Sequence, residues 1–97
     1  MITVGNKRFG ARGEYVGRPT ALGNPFVARN ESERDHVCDQ YERWLRKKIA
    51  EKDPAVCAAL NALYKKAKAG PITLVCWCAP RRCHADSIKR VLEEKLK

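Results

Sequence analysis

The sequence predicts one small α/β domain, a three-layer-like sandwich in which a short, mostly parallel sheet with the last strand at its centre packs with about three helices. The 97 residues suffice for a single hydrophobic core, and we treat 1–97 as one domain. Two long stretches carry apolar side chains at helical spacing. The almost wholly apolar run 72–77 that follows them is typical of a strand covered on both faces, as in parallel sheets.

The N-terminal third is predicted to hold two short strands and a long loop. Ile2-Thr3-Val4 is a β-branched run followed by Gly5-Asn6, which favours a strand and a turn. Glu14-Tyr15-Val16 predicts a second strand. From residue 17 to residue 29 no periodicity appears, although glycine and proline recur. Structured loops of this length in small domains are often functional.

Two amphipathic helices are predicted next. The first has Asn30 or Ser32 as its N-cap, and its buried stripe comprises Val37, Tyr41, Trp44, Leu45 and Ile49. The second begins with Asp53 as N-cap and Pro54 as the first helical residue, and Gly70 ends it. Its buried stripe comprises Val56, Leu60, Leu63, Tyr64 and Ala67.

The net charge and the cysteine content indicate which binding partners and which cellular compartment to expect. Twenty Lys and Arg against 11 Asp and Glu give a net charge of +9, which attracts anions and favours a nucleotide or nucleic acid as partner. The sequence contains no apolar run of about 18 residues, so we predict no membrane span. The five cysteines are odd in number and clustered, and no export signal precedes them. We therefore expect a cytoplasmic protein with free thiols or a metal site rather than a disulfide framework.

The segment from Cys76 to His84 is the first candidate site. It holds three cysteines and a histidine between the apolar strand and a final helix, predicted to run from about residue 83 to residue 96. Ligand sites in open α/β sheets form at this end of the strands. The start of a helix and two nearby arginines favour anions and lower the pKa of a thiol. This interpretation makes Cys78, Cys83 and His84 candidate catalytic residues and Arg81 and Arg82 candidate ligand-binding residues.

Other interpretations of the same segment stay open. Zinc is the main one, because Cys76 and Cys78 face the same side of an extended strand and the alternative metal set is Cys76, Cys78, Cys83 and His84. The spacing is atypical for structural zinc. In that case the domain is a zinc-stabilised module that meets a host or phage protein without catalysis. Redox sensing by Cys78 and Cys83 and simple packing of Cys76 in the core are further alternatives.

The loop from Gly17 to Phe26 is the second candidate site. Arg18 can hold phosphate or carboxylate through two parallel hydrogen bonds. Asn24 either pairs with a base edge or stabilises the loop as an Asx turn, and Phe26 is expected to anchor the loop in the core. We expect this loop and the Cys/His segment to converge over the carboxyl edge of the central strand and to enclose a ligand cleft.

Both segments resemble a known family. Gly17-Arg18-Pro19 with Leu22-Gly23-Asn24-Pro25-Phe26, and Cys76-Trp77-Cys78-Ala79-Pro80 with Cys83-His84, are similar to domain-of-unknown-function family 4326, found in bacteriophage and bacterial genomes. The resemblance implies a phage or mobile-element origin and points to Arg18, Asn24, Cys78, Cys83 and His84 as site positions. It implies no substrate or activity. Ala85 stands where the family often has glycine.

Overall fold

A computed structural model of the chain describes residues 2–10, 12–26, 29–77 and 81–96. Its sheet has three strands, β1 (Ile2–Asn6), β2 (Glu14–Tyr15) and β3 (Ile72–Cys76), in the order β1-β3-β2. Both pairings are parallel, and the register sets Ile2 beside Ile72 and Glu14 beside Leu74. The α/β class and the central position of the last strand are thus confirmed.

Three helices accompany the sheet, as predicted: α1 (Arg34–Ala50), α2 (Pro54–Ala69) and α3 (His84–Leu96). Short 3-10 turns, Lys7–Phe9 and Glu31–Glu33, follow β1 and precede α1. Helix α3 packs on β1 and β3, while α1 and α2 pack on α3 and on each other.

Two local predictions fail at element ends. Neither Asn30 nor Ser32 caps α1, because the 3-10 turn separates them from the helix and the Asn30 side chain accepts the Ser32 hydroxyl instead. Gly5-Asn6 is not a turn, because both residues continue β1 in register with Val75 and Cys76. Backbone pairing of these two residues with the central strand β3 outweighs the preference of a Gly-Asn sequence for a turn.

The predicted caps of α2 are confirmed. Asp53 Oδ2 accepts a hydrogen bond of 3.0 Å from the Val56 N–H, which satisfies one of the free donors at the start of the helix. Pro54 is the first helical residue, and Gly70 follows the last. The Gly70 N–H still donates to the Lys66 carbonyl at 3.1 Å and completes the last turn.

The hydrophobic core is one cluster that joins the face of β3 bearing Leu74 and Cys76 to all three helices. Tyr41, Leu45 and Ile88 are completely buried in it, whereas Trp44 and Ile49 of the predicted α1 stripe are only partly buried. Because all strands run the same way, Asn6, Tyr15 and Cys76 end side by side at one edge of the sheet. The segments that follow these strand ends form the candidate site.

Candidate functional site

The loop after β2 is folded onto itself and fastened to the core. Thr20 N–H donates to the Gly17 carbonyl at 3.0 Å, and Gly23 N–H donates to the Thr20 carbonyl at 2.9 Å. The Arg18-Pro19 peptide bond is cis. Leu22 is buried, and its carbonyl accepts a hydrogen bond of 2.7 Å from the hydroxyl of Tyr41 in α1.

Two glycines of this loop are required by close approach. A Cβ on Gly17 would lie 2.5 Å from the Tyr15 hydroxyl oxygen, and a Cβ on Gly23 would lie 3.0 Å from Cα and Cγ of Arg18. The Tyr15 hydroxyl in turn donates to the Arg18 carbonyl at 2.8 Å. The Gly17-Arg18-Pro19 and Leu22-Gly23 motifs therefore have a steric function, since they hold the Arg18 backbone in one position.

His84, the first residue of α3, attaches the start of this loop to the helix. Its Nε2 lies 2.7 Å from the Val16 carbonyl oxygen, and because a carbonyl only accepts, Nε2 carries the proton. The ring is buried and stands edge-on to Tyr41, with centroids 5.1 Å apart. Burial, followed by the positive charge of Arg18, lowers the pKa of His84. The imidazole is thus neutral, and Nδ1 bears the lone pair that can accept a hydrogen bond.

A cavity of about 270 Å³ lies between the loop and the start of α3. Arg18, Asn24 and His84, all predicted from the sequence, line it, and so do Cys83 and Phe26. The expected convergence of the two segments is therefore confirmed. Of the other lining residues, Gly17 and Trp77 belong to the two predicted segments but were not named as site residues, and Arg34, Val37 and Cys38 lie outside those segments.

The polar side chains that line the cavity differ in how many of their hydrogen-bonding groups already have a partner in the protein. Arg34 donates to both oxygens of Glu31 and to the Arg82 carbonyl. Asn24 Oδ1 accepts from the Phe26 N–H at 2.9 Å, which is the predicted Asx turn, and this leaves its amide N–H groups available. Within the described parts of the chain, the Arg18 guanidinium has no ion pair and donates no hydrogen bond.

Cys83 directly precedes α3, and its thiol is not activated. Its Sγ lies 3.0 Å from the Sγ of Cys76, and the side chain is only 3% exposed. The hydrogen-bonding contact with the Cys76 thiol, and then burial, raise the pKa of Cys83. Asp86 Oδ2 accepts from the Cys83 N–H at 3.1 Å, so a carboxylate already occupies the start of the helix. The expected net lowering is wrong: the backbone N–H of Ala85 at the helix start lowers the pKa of this thiol, but the Cys76 contact and burial outweigh it.

Comparison with protein families identifies the chain. The model of the family described as Domain of unknown function (DUF4326) matches residues 4–94. The chain belongs to this family. Neither the search of curated proteins nor the search of solved structures found a match.

Arg81 and Arg82 of this DUF4326 domain are engaged elsewhere. Arg82 forms ion pairs of 3.2 Å with Asp35 and 2.7 Å with Asp39, both in α1. Arg81 lies 3.6 Å from a carboxylate oxygen of Glu31. Neither arginine is among the residues that line the cavity. Their position within the Cys/His segment therefore does not bring them to the cavity, because acidic residues in α1 and in the 3-10 turn before it bind them instead.

The predicted metal ligands are only partly described. Cys76 is 1% exposed and belongs to the core cluster, as the packing interpretation predicts. Cys78 lies outside the described residues. Within those residues no group of three or more potential ligands is assembled, and the Nε2 of His84 is committed to Val16. The zinc interpretation and the redox role of Cys78 stay predictions.

In the described part of the DUF4326 domain, the helices are each too short or too polar to cross a membrane.

His84 is expected to make stability depend on pH as the pH falls from about 7 through the ordinary pKa of an imidazole. Its folded pKa lies below its ordinary value of about 6.5. The unfolded chain therefore takes up a proton first, and stability is lost as the pH falls below the unfolded pKa, with a slope of up to about 1.4 kcal/mol per pH unit. Above the unfolded pKa both states are neutral and the curve is flat.

Urea denaturation across this pH range measures that slope. His84→Gln should flatten it, whereas the matched control His36→Gln removes an exposed imidazole on α1 and should leave it unchanged. A wild-type slope that persists in His84→Gln would contradict the assignment of His84 as the titrating group.

Proposed function

We propose that the cavity of this DUF4326 domain binds a phosphate-bearing ligand, either a nucleotide or one nucleotide unit of a nucleic acid. The observation that carries the proposal is Arg18, whose guanidinium lines the cavity without a carboxylate partner among the described residues. The nearby arginines Arg34, Arg81 and Arg82 are all paired with acidic residues. The planar guanidinium of an arginine that is left unneutralised at a cavity can bind an anion such as phosphate through two parallel hydrogen bonds.

The other lining groups support a nucleotide rather than a bare anion. Neutral His84 offers Nδ1 as an acceptor for a ligand hydroxyl, and the Asn24 amide offers donors. Trp77 adds an exposed aromatic ring at the same cavity. The net charge of +9 raises the local concentration of polyanions.

The thiols favour binding over nucleophilic catalysis in this proposal. A nucleophilic cysteine reacts as a thiolate, yet the pKa of Cys83 is raised by the Cys76 thiol and by burial. Burial likewise raises the pKa of Cys38. The two thiols that line the cavity among the described residues therefore stay protonated near neutral pH. We propose a binding site that uses Arg18, Asn24 and His84 and does not need a thiolate.

Replacing Arg18 tests the proposal. Arg18→Ala should weaken the binding of ribonucleoside monophosphates, measured by isothermal titration calorimetry, by about 10- to 100-fold, because hydrogen bonds to a charged group contribute about 1.5–3 kcal/mol. Arg81→Ala is the matched control, since it removes the same charge from an exposed residue outside the cavity. Inorganic phosphate serves as the minimal ligand. Equal effects of the two substitutions, or no binding by the wild type, would contradict a cavity site.

A further inference from the structure

We infer that the ligand is a single-stranded nucleic acid, with one base stacked on Trp77, one phosphate at Arg18 and the adjoining backbone beside Lys7 and Arg8. This inference rests on the proposed function and specifies its substrate class. It depends on a cluster of side chains that extends from Trp77 at the cavity to the carboxyl ends of the neighbouring strands. We call Lys7, Arg8, Tyr15 and Trp77 the rim cluster.

Trp77 has the exposure and the fixed orientation of a stacking platform. It is 55% exposed, although it directly follows the buried end of β3. Its indole Nε1–H donates to the Tyr15 hydroxyl at 3.1 Å, and the Asn6 side-chain amide donates to its carbonyl at 3.0 Å. Backbone and ring are therefore both held in place. A rigid exposed aromatic ring binds a base at low entropic cost, and stacking tolerates any base.

The hydrogen bonds of Trp77 lead directly to the proposed phosphate site. The Tyr15 hydroxyl that accepts from Trp77 donates to the Arg18 carbonyl at 2.8 Å. Trp77 and Arg18 also line the same cavity. A base on the ring and a phosphate at the guanidinium are thus neighbouring subsites that one polynucleotide strand can occupy together.

Among the residues that the structure describes, no carboxylate neutralises the charges of the rim cluster. Lys7 Nζ lies 4.8 Å from the centroid of the Tyr15 ring and 5.7 Å from that of Trp77. Neither Lys7 nor exposed Arg8 forms an ion pair within the described ranges. By contrast, the basic residues Arg46, Lys66 and Arg90 on the helices each contact a glutamate. Aromatic rings interleaved with unpaired cations are the usual surface for single strands.

The geometry favours a single strand over a duplex or a free mononucleotide. Bases within a duplex are stacked on each other and cannot reach a protein ring without being flipped out. A mononucleotide would use Arg18 but would leave Lys7 and Arg8 without a phosphate. The cavity of about 270 Å³ is small beside the common ligand sites of about 300–1,000 Å³. It accommodates part of a nucleotide, and the rest of the strand must lie over the rim.

Fluorescence anisotropy with labelled oligonucleotides of about 12 residues tests the inference, because single-strand sites commonly cover about 4–16 nucleotides. The probes are single-stranded DNA, single-stranded RNA of the same sequence, and the matching DNA duplex. We expect a single strand, DNA or RNA, to bind at least about tenfold more tightly than the duplex. Trp77→Ala should weaken single-strand binding about tenfold or more, and Trp77→Phe, which keeps a stacking face, should retain most of the affinity.

Lys7→Gln should lower the salt dependence of binding by about 0.7 in the slope of log K against log salt, which corresponds to one lost phosphate contact. Lys65→Gln, which removes the same charge from an exposed position on α2, is its control. Trp44→Phe, on partly buried Trp44, is the control for the indole. Circular dichroism of each variant confirms that it is folded.

Two patterns of results separate this inference from the proposed function. If mononucleotides bind in an Arg18-dependent way but single strands bind no more tightly, or Trp77→Ala and Lys7→Gln have no effect, the inference is overturned and the nucleotide site stands. Equal binding of duplex and single strand also overturns it. If Arg18→Ala changes neither mononucleotide nor oligonucleotide binding, the proposed function itself fails.

Discussion

Tyr41→Ala is expected to lower the free energy of unfolding by about 3–5 kcal/mol, the range measured for large aromatic residues truncated in protein cores. Tyr41 is 0% exposed and contacts the rings of Trp44 and His84. The substitution leaves a cavity where α1 meets both the loop and α3. Since small domains unfold with a total of about 5–15 kcal/mol, urea denaturation should show a variant close to the limit of stability.

Tyr41→Phe removes the hydroxyl and keeps the ring, so it measures the contribution of the hydroxyl alone. Burial raises the pKa of Tyr41, so the hydroxyl stays protonated and donates to the Leu22 carbonyl at 2.7 Å. Without it, that carbonyl loses its partner beside a buried residue, at a cost of about 1–3 kcal/mol. The loop that carries Arg18 then loses an attachment, and nucleotide affinity should fall several-fold. Wild-type stability and affinity in Tyr41→Phe would show that this hydrogen bond does not support the site.

Gly13→Ala is expected to destabilise the domain by about 3 kcal/mol or more, which is at the upper end for single substitutions. A Cβ at this position would lie 2.4 Å from the Thr73 carbonyl oxygen in the central strand. That oxygen belongs to the backbone of β3, so the clash can be relieved only by separating β2 from β3. Gly13 also has a φ of +154°, which side chains rarely adopt.

Gly10→Ala is the matched control for Gly13→Ala. Gly10 has a φ of +84°, but among the described residues no atom beyond its chain neighbours lies within 4 Å of the position of its Cβ. Its substitution therefore has only the conformational cost of a left-handed residue, about 1–2 kcal/mol. Urea denaturation of both variants separates steric from conformational cost. Equal losses of stability would mean that β2 adapts to the added methyl group.

The same residues that stabilise the fold also shape the site. Tyr41 contacts the ring of His84 and bonds to the backbone of Leu22, and His84 bonds to the backbone of Val16. Both ends of the segment that contains Arg18 are thus fastened to helices. This explains how the backbone of an exposed arginine on a loop can hold a defined position, which reduces the entropy that is lost when a ligand binds.

Local sequence features predicted the elements that depend on local physics. Apolar spacing identified all three helices, and the uninterrupted run 72–77 identified the buried central strand. Asp53, Pro54 and Gly70 marked the ends of α2, because their preferences arise within one helical turn. Gly5-Asn6 was mispredicted because its conformation is imposed by pairing with β3, whose residues are about 70 positions away in the chain.

Arg18, Asn24 and His84 were predicted as site residues from their chemistry, and they do line one cavity. Trp77 and Arg34 were not predicted to line it. Trp77 belongs to the motif Cys76-Trp77-Cys78-Ala79-Pro80, but the apolar run 72–77 predicts that it ends a buried strand. Arg34 resembles any charged residue at the start of a helix. Trp77 and Arg34 differ from the other aromatic and basic residues of the sequence only in what surrounds them in space, which the sequence does not show.

By itself, then, the sequence determined the class of the fold, the helices and the two segments that carry the site, since hydrophobic periodicity and turn chemistry act between near neighbours. The tertiary structure decided which charges are free. It paired Arg81 with Glu31 in the 3-10 turn before α1 and Arg82 with Asp35 and Asp39 in α1, and it left Arg18 unpaired within the described residues. It also raised the pKa of Cys83 by setting Cys76 against it. Charge pairing and burial depend on distances in space, and a linear pattern does not contain them.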